Sequence, residues 1–384
     1  MIIRDFTDND LYKFTTMNAI LKKFPDAEVV YQFINRGRTR FPEGFDKALR
    51  TEVDQMQNIC LSKESEEFIR KKCFYFEPAF VDFLKEFRFN PEEVKIEQQD
   101  GILDVVIQGL WSRTVLWEVP VLSMISELFY QITGQQSDDF ESRTILKSKE
   151  FEAIGAHVSE FGTRRRYSFD VQNRVIEIMK ENMGEYLDGT SNVFLAMKHN
   201  LAPVGTHPHE WFMYHGAHYG YRLANAIALE NWVAVYHGNL GIALTDTFTT
   251  DNFFQNFSKE QTNCFNGLRC DSGDPFEFTE KAIKHYTSFG IDPKAKTIVY
   301  SDTLDLKRVK EIRNFVDRRI RDVYGIGTFL TNDVGVTPLN MVIKMVAAKP
   351  AGQNALVPTV KLSDTPEKNT GIRSEIEMCL NSIK

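Results

Sequence analysis

A chain of 384 residues is too long for one small domain and fits two, or a barrel with an appendage. Hydrophobic residues at 42% and charged residues at 26% form a globular balance able to build a large core. A net charge of −7 without a basic tail or block argues against nucleic acid or an anionic membrane as partner, so an anionic small molecule must be held by local arginines and backbone amides.

Residues 7–23 suit an amphipathic helix, with Leu11, Phe14 and Ile20 in register and Thr7 or Asp8 as cap. Glu28 to Asn35 (EVVYQFIN) is β-branched and aromatic, hence a strand. Helical patterns follow around 44–60 and 77–87. VKIEQQDGILDVVIQG then sets two β runs about an Asp-Gly turn, a strong hairpin signal. Residues 1–125 therefore read as an α+β domain with antiparallel strands. Beyond Pro120 come VLSMISELFYQI and a second helical stretch from Asp138 to Phe161. Thereafter short apolar runs alternate with helical patterns; the runs are Ser191–Leu195, Pro203–Thr206, Ile242–Thr247, Leu268–Ser272, Thr297–Asp302 and Arg321–Gly327. That alternation, without a dinucleotide fingerprint, predicts a parallel α/β barrel over 126–339. NMVIKMVAA and PTVKLSD, within 340–384, read as strands returning to the first domain.

The five cysteines, Cys60, Cys73, Cys264, Cys270 and Cys379, are odd in number and lack metal-type spacing, which predicts reduced thiols and a cytoplasmic setting. The start, MIIRDFTDNDLYKF, carries charge throughout and has no apolar signal region, and no uninterrupted apolar run reaches spanning length, so a soluble protein without membrane partners is expected.

In a parallel barrel, chemistry gathers at the carboxyl ends of the strands. The residues expected there are His207, His209 and Glu210; Thr245 and Asp246; Arg269, Asp271, Ser272 and Asp274; Ser301 and Asp302; and Gly325, Gly327 and Thr328. Gly325-Ile326-Gly327-Thr328 could aim backbone N–H groups at a phosphate, or be a plain turn. Arg164-Arg165-Arg166 could fork onto phosphate or carboxylate, or end a helix in solvent. Asp271 and Asp274 flank a Gly turn suited to sugar hydroxyls or Mg²⁺, although Asp274 before Pro275 also fits a helix cap. The His207/His209 pair could bind one metal, as in barrel metal-dependent hydrolases, but His215 and His218 read as packing residues and later strand ends supply no further histidines.

The motifs DLYKFTTM, FINRG, EVPVLSMISELFY, FGTRRRYS, GTHPHEW, GIALTDTF, GLRCDSGDP, VYSDTLDL, YGIGTFLT and VKLSDTPEK run through nearly the whole chain. In that order they resemble the nicotinate phosphoribosyltransferase family of bacteria and fungi. The resemblance implies an irregular, incomplete α/β barrel of the type II phosphoribosyltransferase kind beside an α+β sandwich-like domain. It also implies a homodimer with shared active sites. The implied reaction joins nicotinate to 5-phosphoribosyl 1-pyrophosphate, giving nicotinate mononucleotide and pyrophosphate in NAD salvage, with Mg²⁺ and with ATP as co-substrate. A nicotinamide-specific enzyme is the nearest alternative. By the same resemblance His209 is the phosphorylated residue, Tyr12 reaches across the dimer interface to stack on the pyridine ring, and Phe161 covers its other face. Arg164, with Arg165 beside it, lines the nicotinate and pyrophosphate region. Arg269 and Asp271 lie at the ribose and phosphates with Thr206, Ser301 and Asp302 nearby, and Gly325 to Thr328 form the 5′-phosphate loop. Glu210 either orients the imidazole of His209 or simply favours the N-terminus of the helix that follows.

Overall fold

Strand β1 (Glu28–Asn35) buries Val29, Tyr31 and Phe33 in alternation, so one face of its sheet is core. A computed structural model describes residues 1–384, and its further strands are β2 (Val94–Gln99), β3 (Ile102–Leu110), β4 (His157–Glu160), β5 (Leu187–Thr190), β6 (Ile242–Leu244), β7 (Gly267–Cys270), β8 (Thr297–Tyr300), β9 (Arg321–Ile326), β10 (Met341–Lys349) and β11 (Val357–Pro358). They form two sheets. The antiparallel sheet runs β11-β10-β1-β3-β2 and the other runs β5-β4-β9-β8-β7-β6, parallel throughout.

The β2–β3 hairpin turns on Asp100 and Gly101, at φ 49° and 73°, the twist that a two-residue connection between right-twisted strands demands. Strand β10 pairs with β1 along its whole length, Glu28 opposite Lys349 and Asn35 opposite Met341. Beyond the short β11 the chain crosses to the parallel sheet, where Leu362 N donates to Thr247 O at 2.8 Å. The last helix, Arg373–Ser382, then packs on helix Tyr221–Tyr236 through Tyr221 Oη, which donates to Glu375 at 3.0 Å. One continuous core of 92 buried residues runs through both sheets, so neither behaves as a separate lobe.

Four details depart from the sequence expectations. The first helix starts at Leu11, with Asp10 at the cap position; Asp8 is drawn off by Arg166 and Thr7 donates to Asp5. The helix expected to reach Phe161 stops at Ala153, Gly155 turns the chain at φ 65°, and the last residues form β4. Ser191–Leu195 is a helix start, because Asn192 accepts from Leu195 N at 3.0 Å and caps Val193–His199. Pro203–Thr206 makes a single bridge to Thr190. This last segment occupies the seam between β5 and β6. Val204 N donates to Thr190 O at 3.0 Å on one side, and on the other the Nδ1 of His207 accepts from Leu244 N at 3.3 Å. The barrel is thus incomplete as a sheet and is bridged there by an irregular strap. Segment Trp111–Thr133 is long and apolar enough to cross a membrane by composition, yet 89% of its most apolar window is buried within the fold, as a core helix.

Candidate active site

Tyr12, Phe161, Arg164, Arg165, His209, Glu210, Arg269, Asp271, Ser301, Asp302, Gly325, Gly327 and Thr328 line one cavity of about 660 Å³ at the carboxyl ends of the parallel strands, whereas Thr206, His207, Thr245, Asp246, Ser272 and Asp274 lie outside its lining. The pleat of β7 explains the pairing at its centre, since Arg269 and Asp271, two residues apart, face the same side while Cys270 points into the core. The guanidinium of Arg269 donates to Asp271 Oδ1 at 2.6 Å, Ser301 Oγ at 2.8 Å and Thr206 Oγ1 at 2.9 Å, and Ser301 Oγ donates to the same Asp271 oxygen at 2.6 Å. Thr206 therefore acts from behind the cavity wall. Asp302 pairs with Lys368 at the rim.

His209 opens helix His209–Tyr219 and is held at both nitrogens. Nε2 lies 3.0 Å from Asp271 Oδ2 and 3.8 Å from Asp246 Oδ1, and Nδ1 lies 3.0 Å from Thr247 Oγ1. Burial, reinforced by Lys361, pushes the imidazole down to about 4 against the opposing pull of Asp246 and Asp271, so the ring is neutral at pH 7. Burial works against the charge of Asp271, yet Arg269, His209 and Lys361 hold its carboxyl well below the usual range. An ionised Asp271 only accepts, which assigns the proton to Nε2 and leaves Nδ1 to accept from the Thr247 hydroxyl. Asp246 accepts from Ser272 Oγ at 2.6 Å through Oδ2, while its buried Oδ1 has no hydrogen-bond partner. Ligand atoms of His209, Asp246 and Asp271 lie within 4.8 Å of one another. With the imidazole proton on Nε2, the two carboxylates make an oxygen donor set, which suits a hard divalent cation such as Mg²⁺.

His207 takes no part in that group. Its ring is buried, meets Trp232 edge-on with centroids 4.5 Å apart, and is pushed down to about 3 by burial and then by Arg269. The reading of the histidine pair as joint ligands of one metal is therefore corrected. His215 is likewise structural, with Nδ1 donating to Trp211 O at 2.7 Å and Nε2 accepting from Asn231 at 3.0 Å. Glu210 is also corrected. Its Oε1 accepts from Lys13 Nζ at 2.9 Å, and the imidazole of His209 is oriented by Asp271 and Thr247 instead.

The arginine run divides its labour. Arg164 and Arg165 face the cavity, whereas Arg166 is fully buried and forks onto Asp8 at 2.7 and 2.9 Å. Arg164 Nη1 donates to Glu118 Oε1 at 3.2 Å, and Arg165 Nε donates to Met341 O at 2.9 Å. Phe161 packs on the end of β9, where a Cβ at Gly325 would meet its ring at 2.5 Å, so this glycine makes room for the aromatic ring. Tyr12 lines the cavity of its own chain, its hydroxyl 3.5 Å from Glu118. Asp274 is a helix cap, accepting from Phe276 N at 2.7 Å and Glu277 N at 3.1 Å.

The sequence reading passed over Lys13, Glu118, Thr247, Lys344 and Lys361. Lys344 lines the cavity from β10 and is pushed down to about 7 by burial, with Lys361 adding and Glu118 opposing. A lysine inside the apolar run MVIKMVAAK was the available signal, because a charge seldom interrupts so apolar a strand.

The family model described as the nicotinate phosphoribosyltransferase (NAPRTase) family matches residues 156–382, and the N-terminal domain of that family matches residues 7–126. The nicotinate phosphoribosyltransferase of Chromohalobacter salexigens is 50% identical over 374 residues, 97% of this chain and 96% of the relative. That of Desulforapulum autotrophicum is 43% identical over 386 residues, covering 100% and 99%. Among solved structures, nicotinate phosphoribosyltransferase from Porphyromonas gingivalis superposes with a TM-score of 0.97 at 46% identity, covering 100% of both chains. A putative nicotinate phosphoribosyltransferase from Saccharomyces cerevisiae superposes with a TM-score of 0.93 at 28% identity, covering 100% of this chain and 98% of the other.

Proposed function

Because the chain belongs to the nicotinate phosphoribosyltransferase family and has that activity, we propose that it couples the transfer to ATP through a phosphate carried on His209. The acceptor is nicotinate and the donor is 5-phosphoribosyl 1-pyrophosphate. The pyridine nitrogen is itself the nucleophile at the anomeric carbon, so the protein has no proton to remove from it. Its task is to stabilise charge as the C–O bond to pyrophosphate opens toward an oxocarbenium-like state. Asp271, ionised and fixed by Arg269 and Ser301, offers negative charge to the sugar. Arg269, Lys344 and Lys361 line the same cavity and suit the phosphates of the donor. Asp246 and Asp271 would hold Mg²⁺, which when bound neutralises phosphate charge.

The observation that carries the phosphohistidine is the double tether of His209. By keeping the proton on Nε2, Asp271 leaves Nδ1 with the lone pair that forms the bond to the γ-phosphorus of ATP, while the bond from that phosphorus to ADP breaks. Thr247 must turn its hydroxyl away as this happens. The new anion would stand near Lys361 and Arg269, and its later hydrolysis to phosphate resets the site.

The cationic Arg164 and Arg165 share the cavity with Tyr12 and Phe161, which favours the acid over nicotinamide as acceptor. The working unit is a homodimer in this reading, and light scattering on the purified protein checks it. Pyrophosphate release, followed with nicotinate and then nicotinamide, each with and without ATP, tests the function. Release that needs nicotinate and is stimulated by ATP is expected; indifference to ATP would remove the coupling.

A further inference from the structure

Behind Arg164 lies a chain of buried charges that the transfer chemistry does not use. Lys13 is fully buried, and its ammonium donates to Glu210 Oε1 at 2.9 Å and also pairs closely with Glu118 Oε2. The other oxygen of Glu118 accepts from Arg164 Nη1 at 3.2 Å. Glu118 is only 7% exposed, so it is a carboxylate placed directly behind a site read as receiving a carboxylate. Such a charge would repel that substrate unless it were neutralised, and Lys13 neutralises it from the side away from the cavity.

The rest of the arginine run shows why the arrangement matters. Arg166 is consumed by Asp8, and Arg165 is drawn sideways to the carbonyl of Met341. Arg164 is the one cavity arginine of the run tethered to a carboxylate, with Nη1 held by Glu118 and its Nε and Nη2 without a hydrogen-bond partner. A long side chain tethered at one nitrogen presents its remaining N–H groups in one orientation, so less rotamer freedom is lost when a planar anion binds.

We infer that Glu118, neutralised by Lys13, is the positioning residue that sets the preference for a carboxylate-bearing pyridine over its amide, by fixing the fork of Arg164. The inference rests on the proposed reading of Arg164 as the partner of the nicotinate carboxylate. A guanidinium fixed in register rewards a charged, bidentate acceptor far more than a neutral amide, and a loose one does not distinguish them so sharply.

The test is Glu118→Gln, which keeps volume and removes the charge. The dissociation constant of nicotinate and the inhibition constant of nicotinamide are measured for wild type and variant, so turnover of the amide is not needed. The expected result is a loss of at least about tenfold in the acid-to-amide ratio, carried by weaker nicotinate binding, with kcat changed by less than about threefold. Equal weakening of both ligands, or an unchanged ratio, would overturn the inference and leave Glu118 a packing residue. The triple variant Lys13→Met/Glu118→Gln/Glu210→Gln removes the cation with both of its acids, carries the same expectation, and decides the matter if the single variant does not fold. Failure of wild type to use nicotinate would instead bring down the reading of the site, and this inference with it.

Discussion

At pH 7 the His209 ring keeps a lone pair because burial outweighs the two carboxylates beside it. His207 and His215 are neutral for the same reason, each pushed down to about 3. An exposed imidazole titrates near 6.5, so between about pH 6.5 and 4 the unfolded chain binds protons that these folded sites refuse. Their contribution to stability is complete above about pH 6.5 and is lost as the pH falls toward 4, on the order of 2 kcal/mol for each ring at pH 5. Glu160, raised to about 7 by burial, works in the opposite direction between its ordinary 4.5 and 7, so a bulk unfolding curve mixes the two. Histidine NMR resolves them, and the three rings are expected to remain neutral at pH 5 while an exposed imidazole is largely protonated. Asp246→Asn is expected to raise the Mg²⁺ concentration needed for half-maximal activity by about tenfold or more, read from a Mg²⁺ titration of turnover. His209 was legible as a site residue from its motif. Of the two roles open to Glu210, the first-turn position holds, and orientation of His209 fails because neighbours in sequence diverge by about 100° on a helix.

Among the elements, the strands that end in polar residues were legible from alternation and β-branching, and β6 to β9 lie where those runs predicted. The strap at 203–207 was not, because Pro203 and Gly205 interrupt the pattern and its partners are one backbone bridge and one side chain. His207→Leu would leave the amide of Leu244 without its acceptor and is expected to cost about 1–3 kcal/mol in denaturant unfolding. Gly325 acts through space rather than through backbone freedom. Gly325→Ala forces the ring of Phe161 off the end of β9, and the expected result is a KM for nicotinate raised by about tenfold, with little change in unfolding midpoint.

Across the whole molecule, the cavity is assembled from distant parts of the chain, which limits what local pattern can reveal. Tyr12 comes from the first helix, Lys344 from a strand of the antiparallel sheet, and Lys361 from the return crossing to β6, where its ammonium lies 3.6 Å from Asp246. Nothing in spacing or periodicity announces that lysines near the end of the chain face a histidine at its middle; only the paired sheets bring them together. Lys361→Met should keep the fold, since its backbone pairing with Thr370 remains, and is expected to lower ATP-stimulated turnover at least about tenfold more than ATP-independent turnover.

The phosphate on His209 is the step on which ATP coupling depends, and transfer of label from [γ-³²P]ATP tests it most directly. Wild type is expected to hold acid-labile, alkali-stable phosphate on the peptide containing His209, discharged when nicotinate and 5-phosphoribosyl 1-pyrophosphate are added. His209→Asn is expected to hold none and to lose stimulation by ATP while retaining slow transfer. Label that persists in the variant, or wild type that turns over with ATP stimulation and never acquires label, would contradict the account.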